Sequence, residues 1–153
     1  MSILRAQILS MIPHQGLMCL HDEVLEWDVQ KLRLRTAGHR HPAHPLRRDG
    51  RLHAVHLGEY GAQAMAVHGG LLAQASGKNA AAGFLVSLRQ LQLHCARIDD
   101  LDDDLMTFAE CLQNTEVSSQ YQFEIHAGAR LLASGRAAVM LRSAASASIE
   151  ENS

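Results

Sequence analysis

The alternation of apolar and polar side chains is sharpest over residues 119–127, where Tyr121, Phe123 and Ile125 interleave with Gln120, Gln122 and Glu124. A two-residue period puts one set on a buried face and the other in water, so this stretch predicts a half-buried strand. Residues 31–35 repeat the pattern, with Leu32 and Leu34 set against Lys31, Arg33 and Arg35. Further strands are expected over 17–27, 84–95, 105–113 and 131–141, with an irregularity at Arg89-Gln90 and a turn at Gly128. Short connections between the last strands favour an antiparallel meander.

Two segments change to a helical period. Residues 3–11 place Ile3, Leu4, Ile8 and Met11 near one face, and Pro13 ends the pattern. Residues 52–74 form the one long helical pattern, with Val55, Glu59, Ala62 and Ala66 in line at three- and four-residue steps. That line of small residues is expected to lie against a sheet. Gly58, Gly61, Gly69 and Gly70 each cost roughly 1 kcal/mol in a helix interior, which points to close packing. Residues 38–51 are a loop, broken by Pro42 and Pro45 and turned at Asp49-Gly50. Residues 77–83 are a Gly-bounded linker, and the aspartates Asp99, Asp100, Asp102, Asp103 and Asp104 suit a solvated loop. Residues 143–153 are small and polar and are expected to be disordered.

The order is helix, two strands, loop, long helix, four strands. A curved antiparallel sheet wrapped around the one long helix buries it, so the fold class is α+β. A chain of 153 residues suits a single domain, here residues 1–142.

Composition narrows the function. Fourteen Lys and Arg against sixteen Asp and Glu give a net charge of -2, so no basic excess marks a nucleic-acid binder. No apolar run approaches the roughly twenty residues of a membrane span, nor does the start read as a signal peptide. A cytoplasmic protein is expected. Cys19, Cys95 and Cys111 are odd in number and lack CxxC spacing, which suits buried thiols in a reducing compartment. Ten histidines make the chain sensitive to mild acid. His39, His41 and His44 crowd one loop, but no Cys or carboxylate completes a metal-ligand set, and no metal or other cofactor is expected.

The motifs carry a resemblance. Ile12-Pro13-His14-Gln15-Gly16, then Met18-Cys19-Leu20 and Asp22-Glu23-Val24-Leu25-Glu26, resembles the opening of the β-hydroxyacyl-(acyl-carrier-protein) dehydratases, which have the hotdog fold. Glu59-Tyr60-Gly61-Ala62-Gln63 is similar to that family's Glu-x-x-Ala-Gln helix signature. His44-Pro45-Leu46-Arg47-Arg48-Asp49-Gly50-Arg51-Leu52 resembles a divergent branch of predicted hotdog dehydratases associated with aryl-polyene-type lipid pathways. The family's histidine usually lies in a His-aromatic-Pro-Gly turn. Here His44 stands fifteen residues before Glu59, one more than usual, and Pro45-Leu46 follow it.

The resemblance implies dehydration of 3-hydroxyacyl thioesters to 2-enoyl thioesters. That reaction needs a base, an acid and a polariser for the thioester oxygen. Glu59 is the expected acid, partly desolvated on a stripe of small residues, which would raise its pKa. His44 is the expected base, with His39 and His41 as rivals in the same loop. Gln63 fixes local geometry or binds the departing water. Backbone N–H groups at the start of the long helix, around Gly58, are expected to hold the thioester oxygen. Arg47, Arg48 and Arg51 are expected to meet an acidic acyl carrier protein or its phosphopantetheine arm. His14 suits a structural role at a strand start, with the site entrance as its alternative, and His56 and His68 suit packing or surface roles.

The resemblance also implies a homodimer or larger assembly, with sites at subunit junctions and with base and carboxyl from different chains. Tyr121 and Phe123 are candidates for its apolar contacts. Two other readings stand beside the dehydratase: a hotdog thioesterase using Glu59 to activate water, and a degenerate hotdog subunit that binds acyl chains or supports an active partner.

Overall fold

The computed structural model describes residues 2–12, 15–77 and 83–141. Strand β1 (Ile3–Leu4) leads into the short helix α1 (Arg5–Leu9), followed by the antiparallel pair β2 (Glu23–Trp27) and β3 (Lys31–Thr36). After the loop comes helix α2 (Leu57–Ala75), and then β4 (Gly83–Leu93), β5 (Leu105–Asn114), β6 (Ser118–Ala127) and β7 (Arg130–Leu141). All seven strands form one antiparallel sheet in the order β1-β2-β3-β5-β6-β7-β4.

The sheet turns one face to α2, which touches β3, β4, β5, β6 and β7. Alternation along β6 is realised as read: Tyr121, Phe123 and Ile125 are buried, and Gln120, Gln122 and Glu124 are exposed. They meet Tyr60, Ala64, Val67 and Leu71 of α2 in one core. Burying each large apolar side chain there contributes about 1.5–3 kcal/mol. Tyr121 and Phe123 therefore serve this core and not a partner's surface, because β6 is a central strand whose apolar face meets the helix.

Several boundaries move for identifiable reasons. The first helix is only five residues long, because Ile3 and Leu4 pair with Val24 and Glu23 as a strand edge. The strand read over 17–27 begins at Glu23; Gly16, at φ +58°, opens a 3-10 turn through Met18 instead. Helix α2 starts at Leu57, after a 3-10 turn over Ala54–His56. Backbone bonds explain the delay: the Ala54 N–H donates to the Ala96 carbonyl, and the Leu52 carbonyl accepts from Ile98.

Strands β5, β6 and β7 form the expected meander, but β4 does not join it in sequence order. It pairs with β7, at the far edge. The long connection between Leu93 and Leu105 permits that crossing, whereas the two later turns are too short for anything but neighbours. The irregularity at Arg89-Gln90 is present, with Gln90 at φ 54° and the β4–β7 register shifting between Arg89 and Gln92. Gly128 turns the chain at φ +59°.

The line Val55, Glu59, Ala62 and Ala66 exists but faces away from the sheet. Val55 is exposed and the other three are half-buried, and Gly69 extends the same open stripe. The sheet-facing side carries Gly61, whose added Cβ would stand 2.7 Å from the Phe123 ring, so glycine is what permits this approach. Gly58 and Gly70 are similarly close to Leu88 and Met11, but a Cβ on Gly69 meets nothing within 4 Å.

The acidic stretch is not uniformly solvated. Asp99 is nearly buried, accepts the Leu52 N–H at 2.8 Å and pairs with Arg97. Asp104 pairs with Arg35 at 3.2 Å and with Arg40 at 2.9 Å. Cys19 is buried, Cys95 and Cys111 are half-buried, and all three thiols are free. Among the described residues no helix is long and apolar enough to cross a membrane. The readings for Pro13, His14, residues 78–82 and the tail fall outside the described residues.

Candidate active site

Gln63 is the anchor of the site. It is fully buried, and each of its polar atoms is assigned a partner. Its carbonyl oxygen accepts the Leu20 N–H at 2.9 Å. Its amide nitrogen donates to the Met18 carbonyl at 2.7 Å and to Glu59 Oε1 at 3.3 Å. A carbonyl oxygen accepting a backbone N–H cannot be exchanged for an NH2 group, so the amide has one orientation. Residues 18–20 thus set Gln63, and Gln63 in turn holds one oxygen of Glu59. The glutamate lies one helical turn before it on the half-buried stripe.

His44 is buried, at 8% exposure, and packs against Tyr60, the residue next to Glu59. Its Nδ1 accepts the Leu46 N–H at 3.1 Å, and its Nε2 lies 3.1 Å from the Tyr60 hydroxyl. A neutral imidazole accepting at Nδ1 carries its proton on Nε2, which therefore donates to Tyr60. Burial lowers the His44 pKa to about 4, helped by the nearby Arg47 and the imidazoles of His56, His39 and His41. The ring is neutral, and its single lone pair is engaged by the chain. Tyr60 is fully buried, and burial pushes its phenol above the usual range, so it stays protonated.

Behind this pair lies a residue the motif reading passed over. His21 is fully buried; its Nε2–H donates to the Tyr60 carbonyl at 2.8 Å, and its Nδ1 accepts from the Thr36 hydroxyl at 2.9 Å. Burial lowers its pKa to about 4. No short-range signal marks it, since its partners lie on β3 and α2.

His39 is also fully buried and donates from Nε2 to the Leu101 carbonyl at 3.0 Å. It holds the loop to the 98–101 segment. His41 is exposed, and its Nδ1 accepts the Ala43 N–H. Arg47 ties the loop to itself through the Gly50 and His39 carbonyls. Arg48 and Arg51 pair across Asp49 and Gly50, both at positive φ, and both arginines are exposed. Gly58 lies at the start of α2, where an added Cβ would stand 2.9 Å from Leu88 Cδ2 and 3.8 Å from Leu91 Cδ2. Leu88 is 37% exposed and Val55 49%, so this end of the helix presents open apolar surface.

His56 occupies the N-cap position of α2 with no side-chain cap bond, half-buried and three residues before Glu59. Its pKa is lowered, first by burial and then by His53 and Arg48, while Glu59 opposes the shift. Its side chain has no hydrogen-bond partner among the described residues. His68, the other helix histidine, is fully buried and bonds Tyr121 and the Asp28 carbonyl.

Among the described residues no three metal-ligating side chains converge. A broad trough of about 1150 Å³ lies elsewhere, lined by Phe108, Glu110, Gln122, Glu124 and Arg136 among others, and none of the candidate site residues borders it.

The family model of the ApeP-like dehydratases, described as ApeP dehydratase, matches residues 6–150. The chain belongs to the ApeP-like dehydratase family. The structure is similar to the dehydratase heterocomplex ApeI:P from Xenorhabdus doucetiae, at TM-score 0.83 and 19% identity over 95% of this chain and 97% of that one. It is also similar to a thioesterase family protein from Silicibacter pomeroyi, at TM-score 0.64 and 17% identity over 88% and 96%. A hypothetical thioesterase with coenzyme A from Streptococcus pneumoniae TIGR4 aligns at TM-score 0.58 and 13% identity over 78% and 84%. No curated protein sequence matches the chain. At these identities the structural likenesses show the hotdog fold alone, and ApeP-like membership is what makes the chain a dehydratase-family protein.

Proposed function

We propose that this ApeP-like chain removes water from 3-hydroxyacyl thioesters, carried on an acyl carrier protein, to give 2-enoyl thioesters. The observation that carries this reading is the Glu59–Gln63 pair: a carboxyl on an open helix stripe, oriented by an amide that is itself fixed by backbone. The C–H bond next to the thioester carbonyl loses its proton to an imidazole, the C–O bond at the next carbon breaks, and the hydroxyl leaves as water with the Glu59 proton. His44 is the imidazole nominated by the sequence, in a site that a second chain would complete. Gln63 keeps the carboxyl aimed, and N–H groups near Gly58 stabilise the oxygen of the thioester. Arg48 and Arg51, exposed at the loop tip, suit the anionic phosphopantetheine arm.

A second reading is favoured by one observation. Both ring nitrogens of His44 are engaged, as a subunit that supports an active hotdog partner would allow. The Xenorhabdus doucetiae relative is a heterocomplex, which suits such a partner. Product analysis separates the readings. The dehydratase turns a 3-hydroxyacyl carrier into the 2-enoyl carrier with the thioester intact. Release of free thiol assigns a thioesterase instead, and no reaction of any acyl thioester assigns the supporting subunit.

A further inference from the structure

We infer that Arg89 and Arg136, opposed on the outer face of the sheet, form the surface on which an acidic carrier protein docks, a role that rests on the carrier-borne substrate of the proposed function.

The two arginines stand directly opposite each other, Arg89 on β4 and Arg136 on β7. Arg136 lies between the buried Gly135 and Ala137, and Leu88, the neighbour of Arg89, faces Gly58 of α2. Strand alternation therefore turns both guanidinium groups away from the helix. Both residues are exposed, and neither has an ion pair or a side-chain hydrogen bond among the described residues. The other arginines of the sheet are engaged. Arg33 pairs with Glu26 at 3.4 Å and Arg35 with Glu23 at 3.0 Å, while Arg130 donates to the His94 carbonyl at 3.3 Å.

Like charges directly opposed across a strand pair, with Cβ atoms about 4.5–5.5 Å apart, destabilise a sheet. The acids of this face do not offset that cost. Glu110 stands two strands from Arg136, and Gln122 Nε2, between them, donates to it at 3.1 Å. Glu124 is held by His126 at 3.1 Å, and Asp28 accepts the Gln30 and Lys31 N–H groups. A second copy presenting this face offers no uncommitted carboxylate. A nucleic acid, charged at every phosphate, would meet Glu110 and Glu124 along the trough that Arg136 borders. An acidic protein surface answers the two arginines without running the length of that trough.

The place also suits a carrier. Strand β4 is an edge of the sheet, so no strand of this chain lies beyond Arg89. Leu88, one residue away, packs towards the start of α2, where Glu59 lies. A carrier held by side chains standing off the sheet face leaves the backbone edge of β4 to a second hotdog subunit. Arg47 and Arg48, by contrast, spend donors on carbonyls of their own loop.

Fluorescence anisotropy tests this, with a labelled apo acyl carrier protein, which has no phosphopantetheine arm, titrated with the full chain at low and high salt. The wild type is expected to bind, and more weakly as salt rises. Arg89→Glu combined with Arg136→Glu should lower the affinity at low salt by about tenfold or more. Its melting temperature should match wild type, because one opposed like-charged pair replaces another. Arg136→Glu alone should melt higher, because it sets opposite charges against each other. Wild-type affinity in the double variant overturns the docking surface. So does binding by the holo carrier alone, which assigns the contact to the phosphate of the arm. A wild-type chain that binds neither form of the carrier overturns the carrier-borne reading as well. Carrier binding lost in the double variant, with no 2-enoyl product formed by the wild type, strikes the dehydration alone and leaves the docking surface standing.

Discussion

Gly61→Val is expected to destabilise the fold by about 3 kcal/mol or more, at or beyond the upper end of ordinary overpacking costs. The new Cβ would sit 2.7 Å from two atoms of the Phe123 ring, well inside contact distance. The ring cannot retreat, because a Cβ on Gly135, on the neighbouring strand β7, would also stand only 2.9 Å from it. Phe123 is wedged between two glycines, one on the helix and one on the sheet. Gly69→Ala is the matched control with the opposite sign. Its Cβ meets nothing within 4 Å, and alanine is favoured over glycine in a helix by about 0.5–1 kcal/mol. For a domain of this size each kcal/mol moves the melting temperature by roughly 2–4 °C, so a thermal melt resolves both changes. A Gly61→Val protein that melts with wild type would contradict this packing.

The second large effect is acid lability. His21 and His44 titrate in the fold at about 4, against 6.5 in a free imidazole. His39 and His68 are shifted in the same direction by burial. All four are neutral in the native state. Between pH 6.5 and 4 the unfolded chain holds more protons than the folded one, so stability falls as pH falls through that window. It is fully present above the unfolded value of 6.5. His21 and His44 together remove on the order of 5 kcal/mol across the window, from about 1.4 kcal/mol per pH unit for each group. Typical domains hold only about 5–15 kcal/mol in total. The carboxylates held low, Asp28 and Asp99, lose their contribution only at more acid pH, so they do not confuse the result. Melting temperatures should be flat above pH 7.5 and drop steeply below 6.5. Equal melting at pH 7.5 and pH 5 would mean that the buried imidazoles are not held neutral.

These two effects also show what the sequence could and could not disclose. The period-two pattern of β6 and the glycine-punctuated helix were legible because each depends on neighbours in the chain. So was the bulge at Arg89-Gln90, where polar residues interrupt an apolar run. The stripe of Val55, Glu59, Ala62 and Ala66 was legible as a line but not as a direction. Periodicity alone does not say whether small residues face a sheet or an opening. The placement of β4 beyond β7 was hidden, because pairing partners lie far apart in sequence. In the site, Glu59 and Gln63 were legible from one helical turn, but the anchoring of Gln63 by Met18 and Leu20 spans more than forty residues. The surroundings of His44 were hidden for a similar reason. Its two ring nitrogens are committed to a Tyr60 hydroxyl and a Leu46 amide, and no motif spacing shows the first of these.

The proposed dehydration turns on the Glu59 carboxyl as a proton donor and acceptor. The most direct measurement is the rate at which Glu59→Gln forms the 2-enoyl product from a 3-hydroxyacyl carrier, read beside its melting temperature. Glutamine keeps the size of the side chain and a carbonyl to accept from Gln63, but it has no acidic proton. The expected result is a fall in kcat/KM of about a thousandfold with little change in melting. A folded Glu59→Gln protein that turns over substrate at the wild-type rate would contradict the account.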